Sequence, residues 1–412
     1  MNLIKKIIIF FILLNFFPIY CFADNFNSNE IKYINSLEFS SPNTNIILNS
    51  KYALVLERST NTILFSKNGY NKTPMASTTK IMTAIIVLEN TENLSQTVTI
   101  SKKAASIGGS RLGLSFNSQI TVKDLLYGLL LCSGNDCAIA LAEFIGGSVE
   151  NFSNLMNEKA LSLGLNSTNF VTPHGLDNEN HYTTAYELAL LTKYALENTM
   201  FSKIVSTINY SVTINGTSKN INNTNELLGQ LNGVYGVKTG FTNGANRCLV
   251  TACKRDDLDI ICIVLGADTK SFRTQDSIKL IEYVFSTFEM VDINSIILKD
   301  FEKWQSQSSF FINKGLTNKV QTNLELLPFS KYPIKKTDQN NISTNISCTY
   351  VLNAPLLSQT SLGNLDCYIN NFKICSLNIY STNSILKKST LSYLAEFIKD
   401  YSINLEKFFL QL

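Results

Sequence analysis

Two long apolar stretches, residues 247–254 and 258–267, are separated by only three residues, Arg255-Asp256-Asp257. Parallel neighbours need a crossover of about a dozen residues or more, so a turn this short makes the two strands antiparallel. Residues 234–239 precede them with the same β-prone character, and residues 274–288 follow with helical spacing. The chain is therefore expected to adopt a mixed α/β fold of the α+β kind, with helices packed on an antiparallel sheet. Two further strands, at 52–57 and 62–66, are joined at Ser59-Thr60-Asn61. Residues 81–88 are almost wholly apolar, so a helix opened by Ser77 should run through the core. More helices are expected at 122–132, 136–145, 151–163 and 184–196.

From about Val291 the character changes. Short β-prone stretches (Phe310-Phe311, Val320-Gln321, Tyr350-Val351, 367–369 and 375–379) alternate with Asn/Ser/Thr-rich connectors, which suggests a small all-β domain. In the tail, Leu391, Leu394, Ile398, Tyr401, Leu405, Phe408 and Leu412 recur every three or four residues as one apolar stripe. Glu396, Lys399, Asp400, Glu406 and Lys407 exclude an ordinary spanning segment. Residues 389–412 either dock on the chain's own β domain or lie in a membrane interface. The membrane is favoured, because a helix that follows a complete domain has little left to bury against.

The first residues read as a secretory signal. Lys5 and Lys6 precede an apolar run, residues 7–17, broken only by Asn15, and Ala23 offers a small residue before Asp24. That run falls short of the ~20 residues a spanning helix needs. With 412 residues there is length for two domains. The expected organisation is a signal peptide (1–23), a polar leader (24–49), a main domain (50–290), a β-rich domain (291–385) and an amphipathic helix (386–412). A formal charge of +3 without any basic cluster sets nucleic acid aside. Of nine cysteines, Cys21 leaves with the signal; the others are scattered inside apolar runs and read as buried free thiols. No Cys-x-x-Cys is present and His174 and His181 are the only histidines, so neither a metal site nor a cofactor is expected.

Three short motifs carry the chemistry. In Ser77-Thr78-Thr79-Lys80, nucleophile and base stand one helical turn apart, where a serine also feels the positive end of the helix dipole. Ser133-Gly134-Asn135 follows in a loop between helices, and Lys238-Thr239-Gly240 ends a strand about a hundred residues later. Each has an ordinary alternative as a cap, a turn or a strand end. Their order and contexts together do not.

On these motifs the chain resembles the penicillin-binding-protein-type serine D-alanyl-D-alanine carboxypeptidases, of peptidase family S11. The likeness covers residues 50–288, including Asn169-Phe-Val-Thr-Pro-His174-Gly-Leu-Asp177 and Leu265-Gly-Ala, and extends more weakly to Leu352-Asn-Ala-Pro-Leu. It implies a β-lactamase/transpeptidase-like domain and exported enzymes acting on peptidoglycan stem peptides that end in D-Ala-D-Ala, with β-lactams as inhibitors. Ser77 would form an acyl-enzyme, a neutral Lys80 would take its proton, and Ser133 would pass a proton to the leaving amine. Asn135 would hold Lys80 and the substrate amide. Lys238, Thr239 and Gly240 would receive the terminal carboxylate, with Arg273 as a second arm. Backbone N–H groups of Ser77 and of the residue near Phe241-Thr242, taken as Thr242, would form the oxyanion hole.

Cys132 and Cys137 flank the Ser-Gly-Asn motif, with Cys137 where a small alanine is usual, and read as packing residues or a redox pair. Asn246 replaces the usual glycine after Lys-Thr-Gly. Two other functions compete. A class A β-lactamase needs a Glu-x-x-Leu-Asn loop, which none of Glu143, Glu150, Glu158, Glu179, Glu187, Glu197 or Glu226 begins. A non-catalytic cell-wall receptor would not be expected to keep Ser77, Lys80, Ser133, Asn135 and Lys238 all intact.

Overall fold

The antiparallel hairpin expected from the sequence is the heart of a five-stranded sheet. In the computed structural model, which describes residues 46–409, the chain begins with β1 (Tyr52–Glu57) and β2 (Ile63–Lys67). It continues through α1 (Lys80–Glu89), β3 (Thr97–Thr99), α2 (Lys102–Ser106), β4 (Gln119–Thr121), α3 (Val122–Leu130), α4 (Asn135–Gly146) and α5 (Val149–Ser162). Helices α6 (Ala185–Glu197) and α7 (Thr199–Val205) lead to strands β5 (Asn209–Ile214) and β6 (Thr217–Asn222). The sheet is completed by β7 (Val234–Thr242), β8 (Asn246–Arg255) and β9 (Leu258–Ala267), and α8 (Lys270–Thr287) follows. The strand order is β2-β1-β9-β8-β7, antiparallel throughout, so β7 is an edge.

Antiparallel sheets commonly leave one face to water; this one is covered on both. Leu54, Leu56, Val250, Ile261 and Ile263 join the core of helices α1 and α3–α7. The alternate residues Ala53, Val55, Leu249, Ile260 and Cys262 pack with Leu280, Ile281 and Val284 of α8. Double coverage is the reason these strands read as continuous apolar runs. Helix α1 is the innermost helix, with every residue from Lys80 to Val87 buried.

Some elements depart from expectation. Helix α8 starts at Lys270 rather than residue 274, because the Thr269 hydroxyl caps it by accepting from Phe272 N–H (3.1 Å). Helix α7 has no counterpart among the expected helices. Nor does the β5–β6 hairpin among the expected strands; its Asn215-Gly216 turn has both residues at positive φ (49° and 77°), the signature of a type I′ turn.

The expected all-β second part holds a helix. After β10 (Phe288–Asp292), α9 (Ile293–Gln307) buries Ile293, Ile297 and Phe301 along one face, and Asp292 caps it by accepting from Ser295 N–H (3.0 Å). The remaining strands are β11 (Phe311–Asn313), β12 (Thr322–Leu324), β13 (Lys331–Lys335), β14 (Ile342–Cys348), β15 (Val351–Asn353), β16 (Ser361–Ile369) and β17 (Phe372–Ser381). They form a four-stranded sheet (β12-β17-β16-β14) and two pairs, β10 with β13 and β11 with β15.

Helix α10 (Thr390–Phe409) follows. Leu391, Leu394, Ile398, Tyr401 and Leu405 are exposed, by 78, 56, 59, 63 and 43%, so the stripe is not docked on the β domain. Among the described residues no helix is long and apolar enough to cross a membrane. The signal-peptide expectation, and the leader up to residue 45, lie outside the described residues.

Candidate active site

Ser77 stands not in an α-helix but in a tight 3₁₀ turn, Ala76–Thr79, that runs directly into α1. Two threonines hold that turn. Thr78 Oγ1 donates to Met75 O (2.6 Å) and Thr79 Oγ1 to Ala76 O (2.8 Å), which satisfies carbonyls an isolated turn would expose. Ala76 has φ of 49°, and the packing round it leaves no room: a Cβ on Gly175 would overlap the Ala76 carbonyl oxygen. Gly240 of β7 is pressed against the same turn, its Cβ position 3.2 Å from Ser77 N. Edge strand and nucleophile turn are thus in backbone contact.

Lys80, the first residue of α1, is fully buried. Its Nζ lies 2.8 Å from Ser77 Oγ, 2.8 Å from Asn135 Oδ1 and 2.9 Å from the His174 carbonyl oxygen. Burial, then the nearby Lys238 charge, hold its pKa well below that of an ordinary lysine. The neutral amine has two N–H groups and one lone pair. Asn135 Oδ1 and the His174 carbonyl can only accept, so they take both N–H groups and the lone pair is left for the Ser77 hydroxyl proton. Asn135 is itself oriented, since its Nδ2 donates to Gly108 O (2.7 Å).

Ser133 lies in the α3–α4 loop at φ of 61°, nearly buried, and faces the same cleft as Ser77. That cleft, of about 410 Å³, is lined also by Ser110, Thr224, Glu226, Thr239, Gly240, Phe241, Arg247 and Arg273. Thr239 Oγ1 is 2.7 Å from Thr224 Oγ1, and the guanidinium of Arg247 stacks on the Phe241 ring at 3.6 Å. Arg273, in the first turn of α8, is 3% exposed and donates from Nη2 to Glu226 Oε1 (2.8 Å).

Lys238 is 1% exposed; its Nζ donates to Thr239 O (2.9 Å), and burial lowers its pKa to about 7. Thr239 and Arg273 both line the cleft. The Thr242 hydroxyl accepts from Ala245 N–H (3.0 Å) within the β7–β8 turn. Phe241, one residue earlier, is in the wall.

The model of the D-alanyl-D-alanine carboxypeptidases, peptidase family S11, matches residues 39–269, more than half of the chain. This chain belongs to that family. It is 34% identical over 321 residues to D-alanyl-D-alanine carboxypeptidase DacF of Bacillus subtilis, an alignment spanning 77% of this chain and 80% of that one. It is 32% identical over 333 residues to DacC of Escherichia coli, with 78% and 80% covered. Among solved structures, DacD from Francisella tularensis superposes with a TM-score of 0.69 at 26% identity, covering 84% of this chain and 95% of that chain. Penicillin binding protein 5 from Haemophilus influenzae gives 0.68 at 27%, covering 84% and 99%.

Within this S11 chain the histidines form no triad with Ser77. The His174 imidazole accepts from Leu176 N–H (3.2 Å), while its carbonyl, which the sequence reading missed, holds Lys80. His181 accepts at Nδ1 from Val171 N–H (3.0 Å), which leaves Nε2 to donate to Thr79 Oγ1 (2.8 Å) and brace the nucleophile turn. Burial lowers the two imidazoles to about 3 and about 4.

All eight cysteines among the described residues are free thiols. Burial and the Asp136 charge raise both Cys132 and Cys137, as suits packing residues. Asp136, next to Asn135, accepts backbone N–H bonds from Leu112, Gly113 and Leu114 (2.9, 2.7 and 3.0 Å) and pins the loop that carries Ser110 over the cleft. Of the glutamates weighed for a β-lactamase, only Glu226 lines the cleft, and its partners are Arg273, Lys270 and Thr274 rather than Ser77 or Lys80.

Proposed function

We propose that the protein is a serine D-alanyl-D-alanine carboxypeptidase that removes the terminal D-alanine of peptidoglycan stem peptides through a Ser77 acyl-enzyme. The observation that carries this reading is the lone pair of Lys80, directed at Ser77 Oγ by two obligate acceptors. Lys80 takes the hydroxyl proton as Oγ attacks the carbonyl of the penultimate D-alanine. Backbone N–H groups of Ser77 and of the Phe241-Thr242 stretch receive the developing oxyanion, a reading supported by Phe241 lining the cleft with Ser77. Collapse breaks the C–N bond; the leaving nitrogen takes the proton through Ser133, and D-alanine departs from Thr239 and Arg273. Water, deprotonated by Lys80, then hydrolyses the ester and restores Ser77.

Glu226, which lines the cleft, is bonded to Arg273, Lys270 and Thr274 rather than to Ser77 or Lys80. That supports slow deacylation of β-lactams, so penicillin is an inhibitor here rather than a substrate. The test is D-alanine release from diacetyl-L-Lys-D-Ala-D-Ala, with Ser77→Ala as control, beside the mass of the protein after benzylpenicillin. Release abolished by the control, with a persistent penicilloyl adduct on Ser77, is expected. Rapid penicillin turnover without D-alanine release would overturn the assignment.

The exposed stripe of α10 supports a second part of this reading, that the protein works at the outer face of the cell membrane with residues 389–412 lying in the interface. Liposome flotation of the protein with and without residues after Lys388 tests it; equal flotation would refute it.

A further inference from the structure

One cation of the cleft wall has no acidic partner. Lys270, Arg273 and Glu226 are tied together, Glu226 accepting from Arg273 Nη2 at 2.8 Å and standing 2.9 Å from Lys270 Nζ. Arg247 lines the same wall, half-buried on β8 and in register with Phe241 of the edge strand. Its guanidinium lies 3.6 Å over the Phe241 ring, and among the described residues it has no carboxylate partner. Asp177, which reaches the same β7–β8 turn, accepts from Gly244 N–H at 3.0 Å instead. Stacking holds the guanidinium by its face and leaves its N–H groups, which lie in the plane, free for a planar acceptor.

We propose that Arg247 is a specificity-determining residue that receives a second carboxylate of the substrate, on the stem-peptide side of the scissile bond. The inference rests on the carboxypeptidase reading, which sets the direction of the substrate. With the terminal carboxylate at Thr239 and Arg273 and the reacting carbonyl at Ser77 and the Phe241-Thr242 stretch, the peptide advances along β7 from Thr239 toward Thr242. Thr239 and Phe241 are two strand residues apart, about 7 Å. Residues that precede the penultimate D-alanine therefore continue past Phe241, to the β7–β8 turn where Arg247 stands across from it. The first of them is the diamino residue of the stem. When that residue is lysine, its side chain brings no anion. When it is diaminopimelate, the side chain ends in a carboxylate beside its amine, which a guanidinium receives through two parallel N–H bonds. Arg273 and Lys270 already share Glu226, whereas Arg247 would gain its one counter-ion.

The test measures kcat/KM at low ionic strength for acetyl-diaminopimelyl-D-Ala-D-Ala and for the same peptide with its side-chain carboxyl converted to the carboxamide. The two substrates differ by one charge, and wild type, Arg247→Gln and Arg247→Lys are compared. The wild type is expected to favour the carboxylate peptide about fivefold to twentyfold, the size of one ion pair at roughly 4 to 5 Å and an effective dielectric of about 40 to 80. Arg247→Gln should bring the two rates close together, Arg247→Lys should keep part of the preference, and added salt should shrink it in the wild type. A purely structural role, or a role at the terminal carboxylate, would lower both peptides together and leave their ratio alone. A wild type without preference, or the same ratio in Arg247→Gln, overturns the proposal. If the wild type released no D-alanine from these peptides or from diacetyl-L-Lys-D-Ala-D-Ala, it is the carboxypeptidase reading that would have failed.

Discussion

Replacing Asn135 by aspartate tests whether Lys80 works as a neutral base. The Asn135 side-chain oxygen is 2.8 Å from Lys80 Nζ, and both residues are buried. A carboxylate in that place favours the ammonium form of Lys80, with a Coulomb energy of about 4 kcal/mol at roughly 4 Å and an effective dielectric of about 20. The cost of desolvating the new charge offsets about half of this, leaving ~2 to 3 kcal/mol. At about 1.4 kcal/mol per pH unit, the acid limb of the rate profile should move up by roughly 2 units, a loss of about 100-fold at pH values below the wild-type limb. The alternative proton arrangement does not rescue activity, since a protonated carboxyl at that position would donate to the very lone pair that Ser77 needs. The assay is the second-order rate of Ser77 acylation by a fluorescent penicillin, followed from about pH 5 to about pH 10 so as to span the shifted limb. Wild-type and variant curves should converge at high pH, whereas a distorted site would lose the same factor at every pH. An Asn135→Asp enzyme with the wild-type acid limb would refute the neutral-lysine mechanism.

Three further outcomes follow from the same geometry. Gly175→Ala should abolish penicillin acylation and lower the thermal midpoint, because its Cβ would overlap Ala76 O and its φ is 81°; wild-type labelling would contradict this. Asp136→Asn should cost about 1 to 3 kcal/mol in urea unfolding and slow acylation, since an amide cannot accept all the loop N–H groups that the carboxylate holds. Protein stability should fall as pH drops from about 6.5 to 4: the folded state keeps His174 and His181 neutral down to about 3 and 4, while the unfolded chain binds protons at both. Thermal midpoints across that range should show a shallower fall in His181→Asn.

Much of this molecule was legible in local pattern. The three-residue turn at Arg255-Asp256-Asp257 joins β8 and β9 as an antiparallel pair, and the continuous apolar runs became intelligible once both faces of the sheet proved covered. The β5–β6 hairpin also carries a local signal in Asn215-Gly216, but its flanking strands are polar and mostly exposed, so no alternating apolar pattern drew attention to it. Helix α9 is written in the chain as Asp292 followed by apolar residues at 293, 297 and 301, a signal that the Asn/Ser-rich surroundings masked.

The sequence by itself determined which groups could do chemistry: a serine and a lysine one turn apart, a Ser-Gly-Asn loop and a Lys-Thr-Gly strand end, in an order that chance rarely produces. Only the tertiary structure decided what each group does. Ser77 and Lys80 meet because a 3₁₀ turn places them so, but the proton state of Lys80 depends on Asn135, the His174 carbonyl and Lys238, which lie 55 to 158 positions away in the chain. Lys238 proved to be buried, and Glu226 stood in the cleft wall beside Arg273. Charge and hydrogen-bond partners at such separations are set by how elements pack in three dimensions, and no local spacing along the chain encodes them.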